Sequence, residues 1–325
     1  IELVQWVIPG RYPTVGDVIW NATGVGVGLG MAVILRRSVG RRPASLPAVG
    51  LALALPFVYL SLSGWLLAPR ETDRVYFGQL TPDLGFMPPY RGELLSARSS
   101  VGPVPDGPWT ALARLRDGDA WWIEAEVEVG PRPASVSPVV GVADASRQEI
   151  LLLGIMGDDL VWRERTLANA LRFDRPDQRL QGGLAGLTEG DTVTLAVRAD
   201  GARRCLRVGD EEACGLGVTP GGTWGMLMYL EGGSRAQRRV LDVAWMGTLF
   251  VLVGLVGGGW RATTVFALGG AVLVGAAVAP TRLLPPDGLE LLGLTAGVLA
   301  GVALRGAVRL ALGGQRQGGG GGAPL

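Results

Sequence analysis

Apolar and polar residues are segregated along this chain into long blocks. Five apolar runs, at 18-35, 46-68, 243-259, 262-279 and 289-309, are each long enough to cross a hydrocarbon layer of about 30 Å as a helix, allowing for tilt and short ends. Between the second and third lies a polar stretch whose pattern switches to period two. Residues 121-129 (Trp-Trp-Ile-Glu-Ala-Glu-Val-Glu-Val) alternate apolar and polar, as a half-buried strand does. Further strands are expected at 138-143, 149-155, 159-164, 192-199, 203-208, 211-215, 223-230 and 239-246, punctuated by Gly, Pro and Asp. Many short strands with such punctuation predict an all-β sandwich or jelly roll. The expected fold class is therefore multi-domain, an α-helical transmembrane bundle carrying an all-β extracytoplasmic domain. Its parts are a membrane segment at 1-69, the β domain at 70-241, three helices within 242-312 and a disordered tail at 313-325 rich in Gly. The last strand is expected to run directly into the third span.

One hairpin is predicted in detail. A two-residue loop at Gly209-Asp210 suits a type II′ turn and pairs positions whose numbers sum to 419. Cys205 and Cys214, the only cysteines of the chain, satisfy that sum. A non-hydrogen-bonded pair brings Cα atoms to about 4.5 Å, within reach of a disulfide. A Cys205–Cys214 bridge is expected, and it argues for an oxidising, exported compartment.

Composition agrees with the blocks. Hydrophobic residues make up 48% and charged residues 18%, with a mean hydropathy of +0.31, too apolar for an ordinary soluble chain of this length. All 30 basic residues are Arg, since Lys and His are absent. Histidine triads, histidine zinc sites and Schiff-base lysines are thereby excluded, and the dispersed Arg gives no nucleic-acid surface. Arg36, Arg37, Arg41 and Arg42 crowd the loop after the first run, and Arg305, Arg309 and Arg316 accompany the end of the last. The positive-inside rule puts both places in the cytoplasm, so 1-16, the β domain and 280-288 are expected outside and the C-terminus inside. The chain opens on Ile in what reads as mid-helix, so upstream helices are expected to be missing. Gly24, Gly26, Gly28 and Gly30, and Gly293, Gly297 and Gly301 at four-residue spacing, provide close-packing faces that could serve a homo-oligomer.

The strongest candidate chemistry lies in residues 1-35. Glu2 and Gln5 share one helix face before Pro9-Gly10, Asp17 and Asn21 share another, and Arg11 sits in the link. The pattern Glu-x-x-Gln, Ile-Pro-Gly-Arg, Asp-x-x-x-Asn-x-x-Gly-x-x-x-Gly (Glu2, Gln5, Ile8 to Arg11, Asp17, Asn21, Gly24, Gly28) resembles the core of the VanZ-like family of membrane proteins. That family is associated with low-level tolerance to glycopeptide antibiotics, teicoplanin in particular. The resemblance implies a protein of the bacterial cell envelope, not recognisably an enzyme, in which Glu2, Gln5, Arg11, Asp17 and Asn21 form an outward-facing polar pocket for a lipid-linked precursor or antibiotic head group. Membrane lipids would be its other partners.

The β domain is similar to concanavalin A-like, laminin-G-type jelly rolls in its Trp-Ile-Glu-Ala-Glu-Val strand, its 149-163 hairpin and its Asp191-Thr-Val-Thr-Leu-Ala-Val-Arg-Ala-Asp-Gly segment followed by Cys-Leu-Arg-Val-Gly. The resemblance raises three chemistries. Glu124, Glu126 and Glu128 lie on one strand face, and retaining glycosidases need carboxyls about 5 to 5.5 Å apart. The Glu-x-Asp-x-x-Glu pattern of jelly-roll glycosidases lacks its Asp here, and a solvated face explains the same residues. Calcium could be held by Asp117, Asp119, Asp158, Asp159 or Asp174, although turn chemistry also accounts for them, and no other cofactor is expected. Glycan stacking could use Trp109, Trp122 or Trp162, with Trp121 and Trp224 as further candidates, yet Trp is equally a core residue of sandwiches.

Overall fold

The computed structural model describes Gly28 and residues 46–69, 75–112, 120–171, 173–174, 176–227, 233–257 and 260–318. It divides into two compact units. One comprises Leu60–Asp242 with Gly275–Asp287 and holds all twelve described strands. The other comprises Ile1–Tyr59, Val243–Val274 and Gly288–Leu325, and its described part is helical.

In the first unit, the strands form two six-stranded antiparallel sheets. β1 (Tyr76–Leu80), β4 (Gly107–Pro108), β6 (Ser137–Asp144), β7 (Glu149–Met156), β8 (Asp159–Glu164) and β9 (Gln178–Leu180) are ordered β4-β1-β6-β7-β8-β9. β2 (Glu93–Ser99), β3 (Gly102–Pro103), β5 (Ala120–Glu128), β10 (Thr192–Asp200), β11 (Arg203–Val208) and β12 (Glu211–Leu216) are ordered β12-β11-β10-β5-β2-β3. The alternation of β5 is realised as expected: Trp121, Ile123, Ala125 and Val127 are buried, while Glu126 and Glu128 are exposed. Val193, Leu195, Val197 and Ala199 of β10 join them in one core with Leu151, Leu153 and Ile155 of β7. β6 and β7 are buried on both faces, so they read as unbroken apolar runs. Their outer side is covered by Val136, Leu152, Met156 and Val161 packed with Leu84 and Met87 of the loop after β1.

The described helices are α1 (Leu46–Leu66), the single turn α2 (Leu167–Ala170), α3 (Arg235–Val256), α4 (Trp260–Val278) and α5 (Gly288–Gly318). Three of these are long and apolar enough to cross a membrane, at Ala48–Leu66, Arg235–Val256 and Gly288–Leu310, and α4 is apolar over Thr264–Val278. The run at 18-35 lies, apart from Gly28, outside the described residues.

Two strand expectations are corrected. Residues 239-246 belong to α3, and the described part of 223-230 starts in a 3-10 turn, Gly221–Met226. The physical reason is a capping box ahead of the apolar run. The backbone N of Ser234 donates to Gln237 Oε1 at 2.9 Å and the backbone N of Gln237 donates to Ser234 Oγ at 3.2 Å, so the helix is nucleated at 234 and carries through Val-Leu-Asp-Val-Ala-Trp.

In the helical unit, the Gly293, Gly297, Gly301 stripe of α5 lies against α3. A Cβ at Gly297 would collide with the Gly247 carbonyl, one at Gly301 with that of Val251, and one at Gly293 with that of Val243. Of the two glycine faces in the sequence, the one on α5 is therefore packed against α3 of the same chain; the one at Gly24 to Gly30 lies, apart from Gly28, outside the described residues. Arg305 of α5 is buried and donates Nη1 to the carbonyls of Val256, at 2.9 Å, and Gly257. It satisfies acceptors that the end of α3 leaves open.

The second segment of the sandwich unit, Gly275–Asp287, is tied to the loop after β12, to the turn between β10 and β11 and to the first turns of α3. Leu284 N donates to Val218 O at 2.8 Å, Arg282 Nη1 to Gly201 O at 3.2 Å, and Arg239 pairs with Asp287.

Candidate functional site

Among the described residues β9 pairs only with β8 and β12 only with β11, and these two end strands lie near each other, so both sheets end at one edge of the sandwich. A cavity of about 230 Å³ opens there. Its shape follows from the hairpin register. Leu206, Arg207 and Val208 pair with Ala213, Glu212 and Glu211 on the sum of 419, but Arg204 pairs with Leu216. The additional residue is Gly215, with φ +73°, a bulge that bends β12 out of its ladder. Gly215 to Thr219 then become one wall of the cavity, and Pro176 to Arg179 form the opposite one. The remaining lining comes from the 3-10 turn and from Arg238 and Asp242 in the first two turns of α3. Trp224 Nε1 donates to Asp242 Oδ1 at 2.7 Å, tying turn to helix, and Gly222 N donates to Thr219 Oγ1 at 3.2 Å.

The wall at β9 carries a buried ionic group. Arg163 binds Asp177 through Nε at 2.6 Å and Nη2 at 3.0 Å, and Arg179 Nη2 reaches the same carboxylate at 3.0 Å. The side chains of Asp177 and Arg179 are 1% and 3% exposed. Burial pushes the Asp177 carboxyl up, but hydrogen bonds and charge from Arg163 and Arg179 outweigh it and hold the group below its ordinary value of 3.8. Arg179 is incompletely matched. Its Nη1 stands 3.9 Å from Asp159 Oδ2, too far for a hydrogen bond, and neither Nη1 nor Nε has a hydrogen-bond partner among the described residues. Gln178 Oε1, in the same wall, is also buried without one. Each such group costs about 1–3 kcal/mol when left unmatched. The two side chains leave β9 on opposite faces, Gln178 on that of Trp162 and Arg179 on that of Val161.

The structure distributes the sequence candidates as follows. Glu2, Gln5, Arg11, Asp17 and Asn21 lie outside the described residues, as do Asp117 and Asp119. Trp109 and Trp162 are core residues, 3% and 1% exposed, so their rings offer no surface to a sugar; Trp121 is enclosed with them. Trp122 points outward, 39% exposed, on the face that carries Glu124, Glu126 and Glu128. Glu124 is ion-paired with Arg98 at 3.3 Å and Arg207 at 3.0 Å, and Glu126 accepts from Ser96 Oγ. That face is charge-matched across strands. Asp158 pairs with Arg132 at 2.9 Å, and Asp159 accepts the backbone N of Gly182 at 2.9 Å. Among the described residues, the one grouping with metal-ligand spacing is Cys205, Glu212 and Cys214. Its two sulfurs are joined in the expected disulfide, with Cα atoms 4.0 Å apart, which leaves no thiolate to bind an ion. Of the sequence candidates, Trp224 alone belongs to the cavity wall.

The fold and site define a two-sheet antiparallel sandwich with a cavity at its open edge, continuous in one chain with long apolar helices. Comparisons with known proteins yield no matching family model, no matching curated protein and no matching solved structure.

Proposed function

We propose that this is a membrane-anchored binding protein in which the sandwich holds the ligand and the apolar helices are its anchor. The observation that carries the reading is the edge cavity of about 230 Å³, with Asp177, Arg179, Trp224, Arg238 and Asp242 in its lining. A concave site with few, placed polar groups is the usual form of a small-molecule site. The two six-stranded sheets support a concanavalin A-like jelly roll. The Cys205–Cys214 bridge supports an extracytoplasmic sandwich, and Arg36 to Arg42 support a cytoplasmic loop before α1. The ligand in this reading is a cell-envelope glycan or a fragment of one.

The test is retention of envelope glycan fragments by the detergent-solubilised full-length chain, compared with Gly222→Leu. A Cβ at Gly222 meets only ordinary contacts at 3.4 Å and beyond, so this substitution fills the cavity without unseating its walls. Retention abolished by Gly222→Leu supports the reading, and retention indifferent to it contradicts it.

A second reading is favoured by the sequence pattern from Glu2 to Gly28. It is a VanZ-like envelope protein contributing to teicoplanin tolerance through Glu2, Gln5, Arg11, Asp17 and Asn21. Arg11→Ala should then abolish protection in cells expressing the full chain at matched membrane levels, and unchanged susceptibility would sink it.

A further inference from the structure

We propose that the edge cavity takes the sugar headgroup of a membrane lipid, an uncharged glycolipid whose acyl chains stay in the bilayer, and not a glycan free in solution. The proposal rests on the reading of this cavity as a glycan site on an anchored protein and specifies what carries that glycan.

The place of the cavity along the chain carries the argument. The sandwich unit takes in the last turns of α1 and α4 and the first turns of α3, so ends of the apolar helices belong to the same compact unit as the cavity walls. The segment after α4 packs on one wall: Leu284 N donates to Val218 O at 2.8 Å, and a Cβ at Gly217 would meet the Leu284 side chain. That segment also meets α1, where a Cβ at Gly64 would meet the side chain of Thr281. Arg238 and Asp242 of the lining are on α3 itself, and Asp242 is the last residue before the apolar run at 243-259. At a rise of about 1.5 Å per residue, Arg238 and Asp242 stand about 7.5 and about 1.5 Å ahead of Val243 along the helix. The polar headgroup layer is about 5–7.5 Å deep on each side of a bilayer. The α3 part of the lining therefore spans the depth at which lipid headgroups lie.

The lining sets the class of headgroup. It carries two carboxylates, Asp177 and Asp242, against two guanidiniums, Arg179 and Arg238, and so holds no net charge with which to select an anionic or a cationic lipid. Asp177 is engaged by Arg163 and Arg179, and Asp242 accepts the indole N–H of Trp224. Hydroxyls, which both donate and accept, suit such a balanced lining. Leu216, Val218 and Trp224 add apolar surface, suited to the carbon face of a sugar ring. The volume of about 230 Å³ lies below the 300–1,000 Å³ or so of sites for drug-sized molecules, which restricts the ligand to about one ring. A single sugar on a lipid meets that limit, and its confinement to the bilayer raises its effective concentration at a site of this depth.

The experiment is equilibrium binding to the full-length protein in mixed micelles of a polyoxyethylene detergent, which has no sugar of its own. Monoglucosyl diacylglycerol, phosphatidylglycerol and diacylglycerol are the lipid probes, and methyl glucoside is the free sugar. Monoglucosyl diacylglycerol should bind tenfold or more tighter than each of the other three, and Gly222→Leu should weaken it tenfold or more. Arg238→Ala, on the α3 side of the lining, should weaken it fivefold or more, and it decides should Gly222→Leu fail to fold. Methyl glucoside bound as tightly as the glycolipid, and lost in Gly222→Leu, would overturn the lipid carrier while leaving the cavity as a glycan site. Phosphatidylglycerol bound as tightly would overturn the uncharged headgroup, and diacylglycerol bound as tightly would remove the sugar. Glycolipid binding that survives Gly222→Leu would remove the cavity itself, and absence of glycolipid binding to the wild-type protein overturns the proposal.

Discussion

Asp177 has two guanidinium partners and almost no contact with water, so its charge belongs to the folded state. Substituting it by Ala leaves Arg163 and Arg179 enclosed without it, a change that typically destabilises by about 3–5 kcal/mol. Its carboxyl is held below 3.8 in the fold. It therefore favours the folded state fully above that value, and the advantage is lost as pH falls through the lower, folded value. In thermal unfolding of the purified chain between neutral and strongly acid pH, Asp177→Asn should lower stability near neutrality and flatten the acid limb. An acid limb as steep as in wild type would assign it to other carboxylates. The disulfide is a second residue-scale feature, closing a loop with a sequence separation of 9. The chain-entropy estimate for so short a loop is roughly 2–3 kcal/mol, which Cys205→Ala with Cys214→Ala should remove in a denaturant titration.

At the scale of elements, the glycines of α5 set the approach of the helices. Gly297→Leu should lower the unfolding temperature of the protein in detergent by several degrees, because the added side chain has the Gly247 backbone in its way. Gly306→Leu, where an added Cβ meets nothing, should leave the temperature unchanged, and equal effects would show that the stripe does not pack as described. Elements were legible in the sequence wherever one local rule decided them. The period-two pattern of β5 and the register arithmetic of Cys205 and Cys214 are of that kind. Val240 to Trp245 suit a strand as well as a helix, because Val-Leu-Asp-Val-Ala-Trp fits either period; the Ser234 and Gln237 cap settles the matter from outside the apolar run. β1 and β9, five and three residues long, are specified by pairing with β6 and β8 more than by their own pattern.

For the whole molecule, the blocks of apolar sequence carried the division into sandwich and helices, but the cavity could not be read the same way. Its walls come from 176–179, 215–219, 222–225 and 238–242, four stretches that meet only through sheet topology and the bulge at Gly215. Arg179 looks ordinary in sequence, flanked by Gln178 and Leu180, and acquires its meaning from Asp177 and Arg163 across the sheet edge. Two expectations follow at this scale. The full-length protein should remain with the membrane fraction after alkaline carbonate washing, and release into the supernatant would refute the anchor. The most direct measurement of the central claim is hydrogen exchange of the full-length protein in micelles with and without saturating envelope glycan fragments. Protection confined to 176–180, 215–225 and 235–242 is the predicted result. Protection on the outer face of β5 around Trp122, or nowhere in the sandwich, would contradict the account.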